Sequence, residues 1–194
     1  MKRIILTMTV ILLLLPALTA AGEKDMPAWD YPLAPEILEN KAGFITLVNR
    51  SHLLDSSYVP ADLVTINARC VSSIKGDKLR KTALEAIRRM FAAAEADGMI
   101  LYLKSVYRAY STQSYMYKSR LESVGRDDGV VAYPGSSDHQ TGLCADILNL
   151  EWTRKDGMKP AFGQTAEARW MAAHCAEYGF IIRYQEDKQD ITGI

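Results

Sequence analysis

Histidine and cysteine are scarce in this 194-residue chain, with three of each. The cysteines are Cys70, Cys144 and Cys175, and their spacing fits no zinc-finger pattern. Three is odd, so at least one stays free or pairs outside the chain. Small buried residues are the plain reading for all three, and a Cys144–Cys175 bridge stays open. An excess of either charge is also missing. Lys and Arg total 23, as do Asp and Glu, so no basic face for nucleic acid is expected. The longest apolar run, residues 4–15, is shorter than the roughly 20 residues of a membrane-spanning helix. Internal repeats and low-complexity tracts are lacking as well.

What is present at the N-terminus is ordered like a secretory leader. Lys2 and Arg3 precede the apolar run, and small residues Thr19, Ala20, Ala21 and Gly22 follow it. We read residues 1–21 as a signal peptide, with an uncleaved anchor as the alternative. No cysteine follows the run, which argues against a lipid anchor. The expected location is outside the cytoplasmic membrane, in the periplasm or on the cell-wall side. Residues 22–43, with Pro27, Pro32 and Pro35, read as an extended lead-in tethered by Trp29 and Tyr31. The remainder suffices for one domain with its own core, expected to be a monomer without a stable membrane span.

Within residues 44–194 the pattern mixes helices and strands. Residues 44–50 have strand composition, and residues 55–64 are rich in turn formers. Helical spacing of Leu79, Ala83, Ala86, Ile87, Met90, Phe91 and Ala94 predicts a helix over 78–97, with Asp77 at its start and Gly98 at its end. A core strand is predicted within 99–108, a helix over 111–124 opened by Ser111 or Thr112, and a loop over 125–138. A short strand at 144–150, a helix at 165–178 and a strand at 179–184 complete the series. Strict β-α alternation is absent, so the class is α+β with a mainly antiparallel sheet packed with helices.

The chemistry concentrates in "GSSDHQTGLCADI", residues 135–147. His139 and Asp146 are seven apart, and such a pair also arises as a loop histidine and a turn carboxylate. On a helix that spacing is a rise of roughly 10 Å, too far for donors each about 2.0–2.2 Å from one zinc. On a straight strand the two side chains point to opposite faces. A loop that turns at Gly142 and enters a strand offers a third geometry, able to fold both side chains onto one metal.

The stretch resembles the SxHxxGxAxD signature of VanY-like D-alanyl-D-alanine carboxypeptidases through Ser137, His139, Gly142 and Asp146. Three further blocks agree in order. "YVPADLV" at 58–64 resembles the family's YVPxDLV segment, "VYRAYSTQ" at 106–113 its YRSYxxQ segment, and "EYGFIIRYQEDKQDITGI" at 177–194 its YGFxxRYPxxKxxxTGI segment. The resemblance covers residues 44–194 and implies a Hedgehog/DD-peptidase-like fold. It implies Zn2+ held by His139 and Asp146, and a peptidoglycan stem peptide ending in D-alanine as substrate. It further implies that Arg108 grips the substrate's terminal carboxylate, with Gln113 and Ser137 helping to place the peptide. A guanidinium suits that task, because it pairs with a carboxylate in two parallel hydrogen bonds.

The chain departs from this pattern at two points. Cys144 stands where the signature has alanine, as a packing substitute or as an extra zinc ligand. In the family, an acidic residue and a Trp-His pair follow the TGI segment and supply the general base and the third zinc ligand. The sequence stops at Ile194, so the expectation is a domain without its C-terminal end. No catalytic base is assignable, and activity is expected to be impaired. Glu177 and Glu186 are stand-ins for the base by proximity only, and His52 and His174 read as packing or surface residues. The alternatives kept are a non-catalytic stem-peptide binding module and a degraded pseudoenzyme.

Overall fold

The computed structural model describes residues 43–155 and 159–183. The proposed leader and lead-in therefore lie outside the described residues, as do Glu186 and the TGI segment.

Four short strands and four helices carry the described fold. Strand β1 (Leu63–Thr65) pairs antiparallel with β2 (Lys78–Arg80), Val64 standing opposite Leu79. Helix α1 (Lys81–Ala96) follows β2 directly. The helix was expected from 78 with Asp77 as its cap. Instead residues 78–80 are extended, because β1 takes their backbone and Leu79 is fully buried from there. Arg80 is the capping residue and makes no side-chain cap bond. Gly98, at φ +79°, closes the helix as expected, since a left-handed conformation is open to glycine without a Cβ clash.

Helix α1 turns Leu84, Ile87, Met90, Phe91 and Ala94 into the core. There they meet Leu101, Leu103 and Val106 from the segment around β3 (Tyr102–Ser105), and Leu148 of β4 (Asp146–Leu148). Each such side chain contributes about 1.5–3 kcal/mol when fully buried. The second sheet, β3 with β4, is also antiparallel: Leu103 faces Ile147, and Ser105 faces Asp146 across a register irregularity. Two separate antiparallel pairs with packed helices give the α+β class expected, though not one continuous sheet.

Helix α2 (Tyr110–Val124) buries only Gln113 and ends on Gly125 at φ +78°. Its cap is Ala109, without a side-chain bond, so neither Ser111 nor Thr112 caps it. A short helix α3 (Leu150–Thr153) starts where the Asn149 side chain accepts the Trp152 N–H. Helix α4 (Ala166–His174) is capped in the same way by Thr165 and runs into a 3-10 turn, Cys175–Tyr178.

Two expected strands do not form among the described residues. Residues 44–50 hold only an isolated bridge, Asn49 with His52, because Val48 alone is fully buried while Ile45 and Leu47 face outward. Residues 179–183 are likewise not extended in a ladder. All three cysteines are free, so the Cys144–Cys175 bridge is absent. Among the described residues no helix is long and apolar enough to cross a membrane.

Candidate functional site

The site is assembled where three backbone segments meet at the end of β3. His139 sits in a 3-10 turn, Asp138–Thr141, that Gly142 ends at φ +69°. The chain then enters β4 at its first residue, Asp146. This is the fold-back geometry expected, and it sets His139 Nε2 3.5 Å from Asp146 Oδ2. The other ring nitrogen, Nδ1, lies 2.7 Å from the carbonyl oxygen of Val106.

Gly142 is required here for two reasons. Its φ is one that other residues adopt only under strain. A Cβ at this position would also lie 3.0 Å from Arg80 Cγ, 3.0 Å from Leu63 Cδ2 and 3.4 Å from Pro60 Cγ. The "YVPADLV" segment thus packs directly against the turn that carries His139. Asp62 of that segment accepts a hydrogen bond from Arg80 Nε at 2.7 Å, and the Arg80 N–H donates to the Gly142 carbonyl.

Arg108 stands beside this turn, its N–H donating to the His139 carbonyl at 3.0 Å. Its guanidinium is aimed by two neighbours: Nη1 donates to Gln113 Oε1 at 2.9 Å, and Nη2 to Ser105 Oγ at 3.0 Å. Gln113 is 1% exposed, and its amide nitrogen donates to the Ala132 carbonyl. Both ends of the Gln113 amide are therefore committed to the protein. Ser137 is also buried, and its carbonyl accepts the Gln140 N–H. An open cleft of about 460 Å³ adjoins this end of β3, lined among others by Lys78, Ser105, Tyr107, Arg108 and Thr112. That is within the usual range for a small-molecule or peptide site.

Electrostatics follow from this packing. Burial lowers the His139 pKa, but hydrogen bonding and charge from Asp146 and Cys144 outweigh it and raise it from 6.5 to about 10. Burial raises the Asp138 carboxyl above its ordinary value, and the nearby Arg183 and His139 charges oppose this.

The other titratable residues singled out in the sequence lie elsewhere. His52 is exposed and contacts Asn49 Oδ1. His174 pairs with Glu177 at 2.9 Å and stacks near Trp170. Cys144 reaches His139, yet among the described residues no three His, Cys, Asp or Glu side chains converge as a metal-binding group. Several contributors escaped the sequence reading: Ser105, the Val106 carbonyl, Asp138, Gln140 and Arg183. Backbone carbonyls carry no residue signature. Asp138 and Arg183, with 44 residues between them in the sequence, are brought together only by the fold.

Comparison with known proteins shows the family and its fold. The family model described as "VanY: D-alanyl-D-alanine carboxypeptidase" matches residues 76–194. YodJ of Bacillus subtilis (strain 168) is 37% identical over 163 residues, covering 81% of this chain and 58% of YodJ. The chain thus spans less than two thirds of that relative. Among solved structures, the LdcB LD-carboxypeptidase matches at 36% identity and a TM-score of 0.72, covering 79% of this chain and 73% of LdcB. A vancomycin-resistance D,D-pentapeptidase, VanY, solved in complex with Zn(II), matches at 27% identity and a TM-score of 0.55, covering 78% of this chain and 82% of VanY. The match over residues 76–194 shows that the chain belongs to the VanY family of D-alanyl-D-alanine carboxypeptidases.

Proposed function

We propose that the protein is a zinc-dependent carboxypeptidase that removes a terminal D-alanine from peptidoglycan stem peptides. The observation that carries this reading is the 3.5 Å gap between His139 Nε2 and Asp146 Oδ2. A direct charge-assisted bond would close to about 2.7–2.9 Å. Two donors each about 2.0–2.2 Å from one tetrahedral zinc stand about 3.3–3.6 Å apart. The spacing of the pair is also the one that two corners of a tetrahedral zinc site require. Nδ1 faces the Val106 carbonyl, so in the neutral ring the proton sits on Nδ1 and Nε2 is the nitrogen open to a metal, which must displace the second proton. The zinc of the solved VanY complex supports the same reading. Bound there, zinc would polarise the scissile carbonyl and lower the pKa of a water molecule.

This chain's own residues do the rest. Arg108 presents a pre-aimed guanidinium beside the metal turn and pairs with the carboxylate of the leaving D-alanine. Gln113 and Ser105 hold that guanidinium in place, so Gln113 acts by orienting Arg108, and Ser137 shapes the floor of the peptide site. In the family the general base and third ligand follow the TGI segment, which here closes the sequence at Ile194; with two ligands and no assigned base, weak zinc binding and impaired turnover belong to the proposal. Export by residues 1–21, action on the cell-wall side of the membrane and a monomeric state belong to the same proposal.

The test is release of D-alanine, with zinc present, from stem peptides ending in D-Ala-D-Ala and in a single D-alanine. The expected result is weak release from this chain, raised by a family-like C-terminal extension, that EDTA and Asp146→Asn both abolish. No release, with peptide binding that survives EDTA and is lost in Arg108→Ala, would identify a stem-peptide binding module instead.

A further inference from the structure

The residue before His139 is held by a contact from a distant part of the chain. Asp138 is mostly buried, its side chain 14% exposed, and its Oδ2 lies 2.5 Å from Arg183 Nε. The same guanidinium donates through Nη2 to the carbonyl of Val48 at 2.7 Å, and Val48 is fully buried. One side chain therefore ties three segments together: residue 48, the His139 turn, and the run after the last 3-10 turn.

The turn needs such a tie. It is a single 3-10 turn, and its own bonds are the Gln140 N–H to Ser137, the Gly142 N–H to His139 and the Thr141 hydroxyl to the Asp138 carbonyl. Short 3-10 turns have poor hydrogen-bond geometry and little stability alone. On the opposite flank, Gln140 Nε2 donates to the Asp55 carbonyl at 2.9 Å and also approaches the Tyr58 carbonyl. His139 thus stands between two buried polar side chains, each anchored to a remote backbone. A guanidinium is suited to the Asp138 flank, because its charge faces the carboxylate while Nη2 bonds the Val48 carbonyl.

We propose that Arg183 is a positioning residue for His139, acting through Asp138, and that it couples the C-terminal run to the geometry of the candidate metal site. The inference deepens the zinc reading and rests on it for its functional meaning. Its structural part is measured without metal.

The experiment is amide hydrogen exchange and histidine ring 15N spectroscopy on the wild type, Arg183→Gln and Asp138→Asn, all metal-free, followed by zinc titration. Both variants should speed exchange at the Arg108, Gln140 and Gly142 amides about tenfold or more while Met90 and Phe91 in α1 keep their protection. The His139 ring shifts, which report its contact with Val106, should move, and zinc affinity should fall about tenfold. Asp138→Asn preserves the side-chain shape, so it serves if Arg183→Gln does not fold. Unchanged exchange and ring shifts in the variants would overturn the positioning role, as would an equal rise throughout α1. A wild type that binds no zinc, with the exchange result intact, would overturn the zinc reading and leave the brace standing.

Discussion

The His139 ring directs Nδ1 to the carbonyl of Val106 at 2.7 Å, and this contact decides what the opposite nitrogen can do. Val106 is 1% exposed and fixed in the core, so the acceptor does not move. The ring is anchored at one edge and offers its other edge toward Asp146. His139→Gln keeps polarity but loses the imidazole's two-edged geometry. It should lower zinc affinity by about 10–100-fold or more, read by competition with a chromophoric chelator. Retention of wild-type affinity would show that the ring is not a ligand.

Arg108 and Gln113 should behave as a unit. Arg108→Lys keeps the charge but cannot bond Gln113, Ser105 and a carboxylate together. Its effect should fall mainly on KM for the peptide, by about tenfold or more. Gln113→Leu strips the Ala132 carbonyl of its donor and frees the guanidinium. It should cost about 1–3 kcal/mol of stability in urea denaturation and raise KM as well. A Gln113→Leu protein with unchanged KM would remove the orienting role.

Gly142→Ala combines a left-handed φ with Cβ contacts at 3.0 Å. The expected loss is about 1–3 kcal/mol, seen as a lower denaturation midpoint at unchanged slope. Gly98→Ala offers the control, since a Cβ there meets nothing within 4 Å and only its φ of +79° is strained. Equal losses at the two positions would mean that packing against Leu63 and Arg80 contributes nothing.

The loop that supplies Ala132 is held by two acids, Asp127 and the half-buried Asp128. Asp127 is lowered from 3.8 chiefly by its bond from Arg50, then by the Gly129 N–H. Asp128 is lowered chiefly by Arg120. Their folded pKa values lie below the unfolded one. Their contribution is therefore fully present above about 3.8 and lost as pH falls through the folded values. Carboxyl 13C titration should give both midpoints below 3.8. The edge-on contact of Tyr117 with Tyr133 should loosen over the same acid range. Midpoints at or above 3.8 would contradict these pairings.

Much of this was legible in the sequence because it is local. The apolar spacing of Ile87, Met90, Phe91 and Ala94 marks α1 wherever the chain sits. A histidine, a glycine and an aspartate in the 139–146 turn constrain their own geometry. The start of α1 was not legible, because residues 78–80 are drawn into an extended pairing by β1, which lies more than a dozen residues away. Of the strand expected at 44–50, the described residues show only the isolated Asn49–His52 bridge. Gln113 could be picked out from the resemblance, but not its burial under Arg108. Arg183 falls on the arginine of the YGFxxRYP segment, but its contact with Asp138 could not be read from that match.

The central claim is that His139 and Asp146 bind one zinc ion together. Isothermal titration of zinc into the metal-free wild type, His139→Ala and Asp146→Asn tests it most directly. The account predicts one zinc per chain for the wild type and a loss of at least tenfold in affinity for either variant. Combining the variants should add little, since each removes the same site. Zinc binding of equal strength in all the proteins, or none in the wild type, would contradict it.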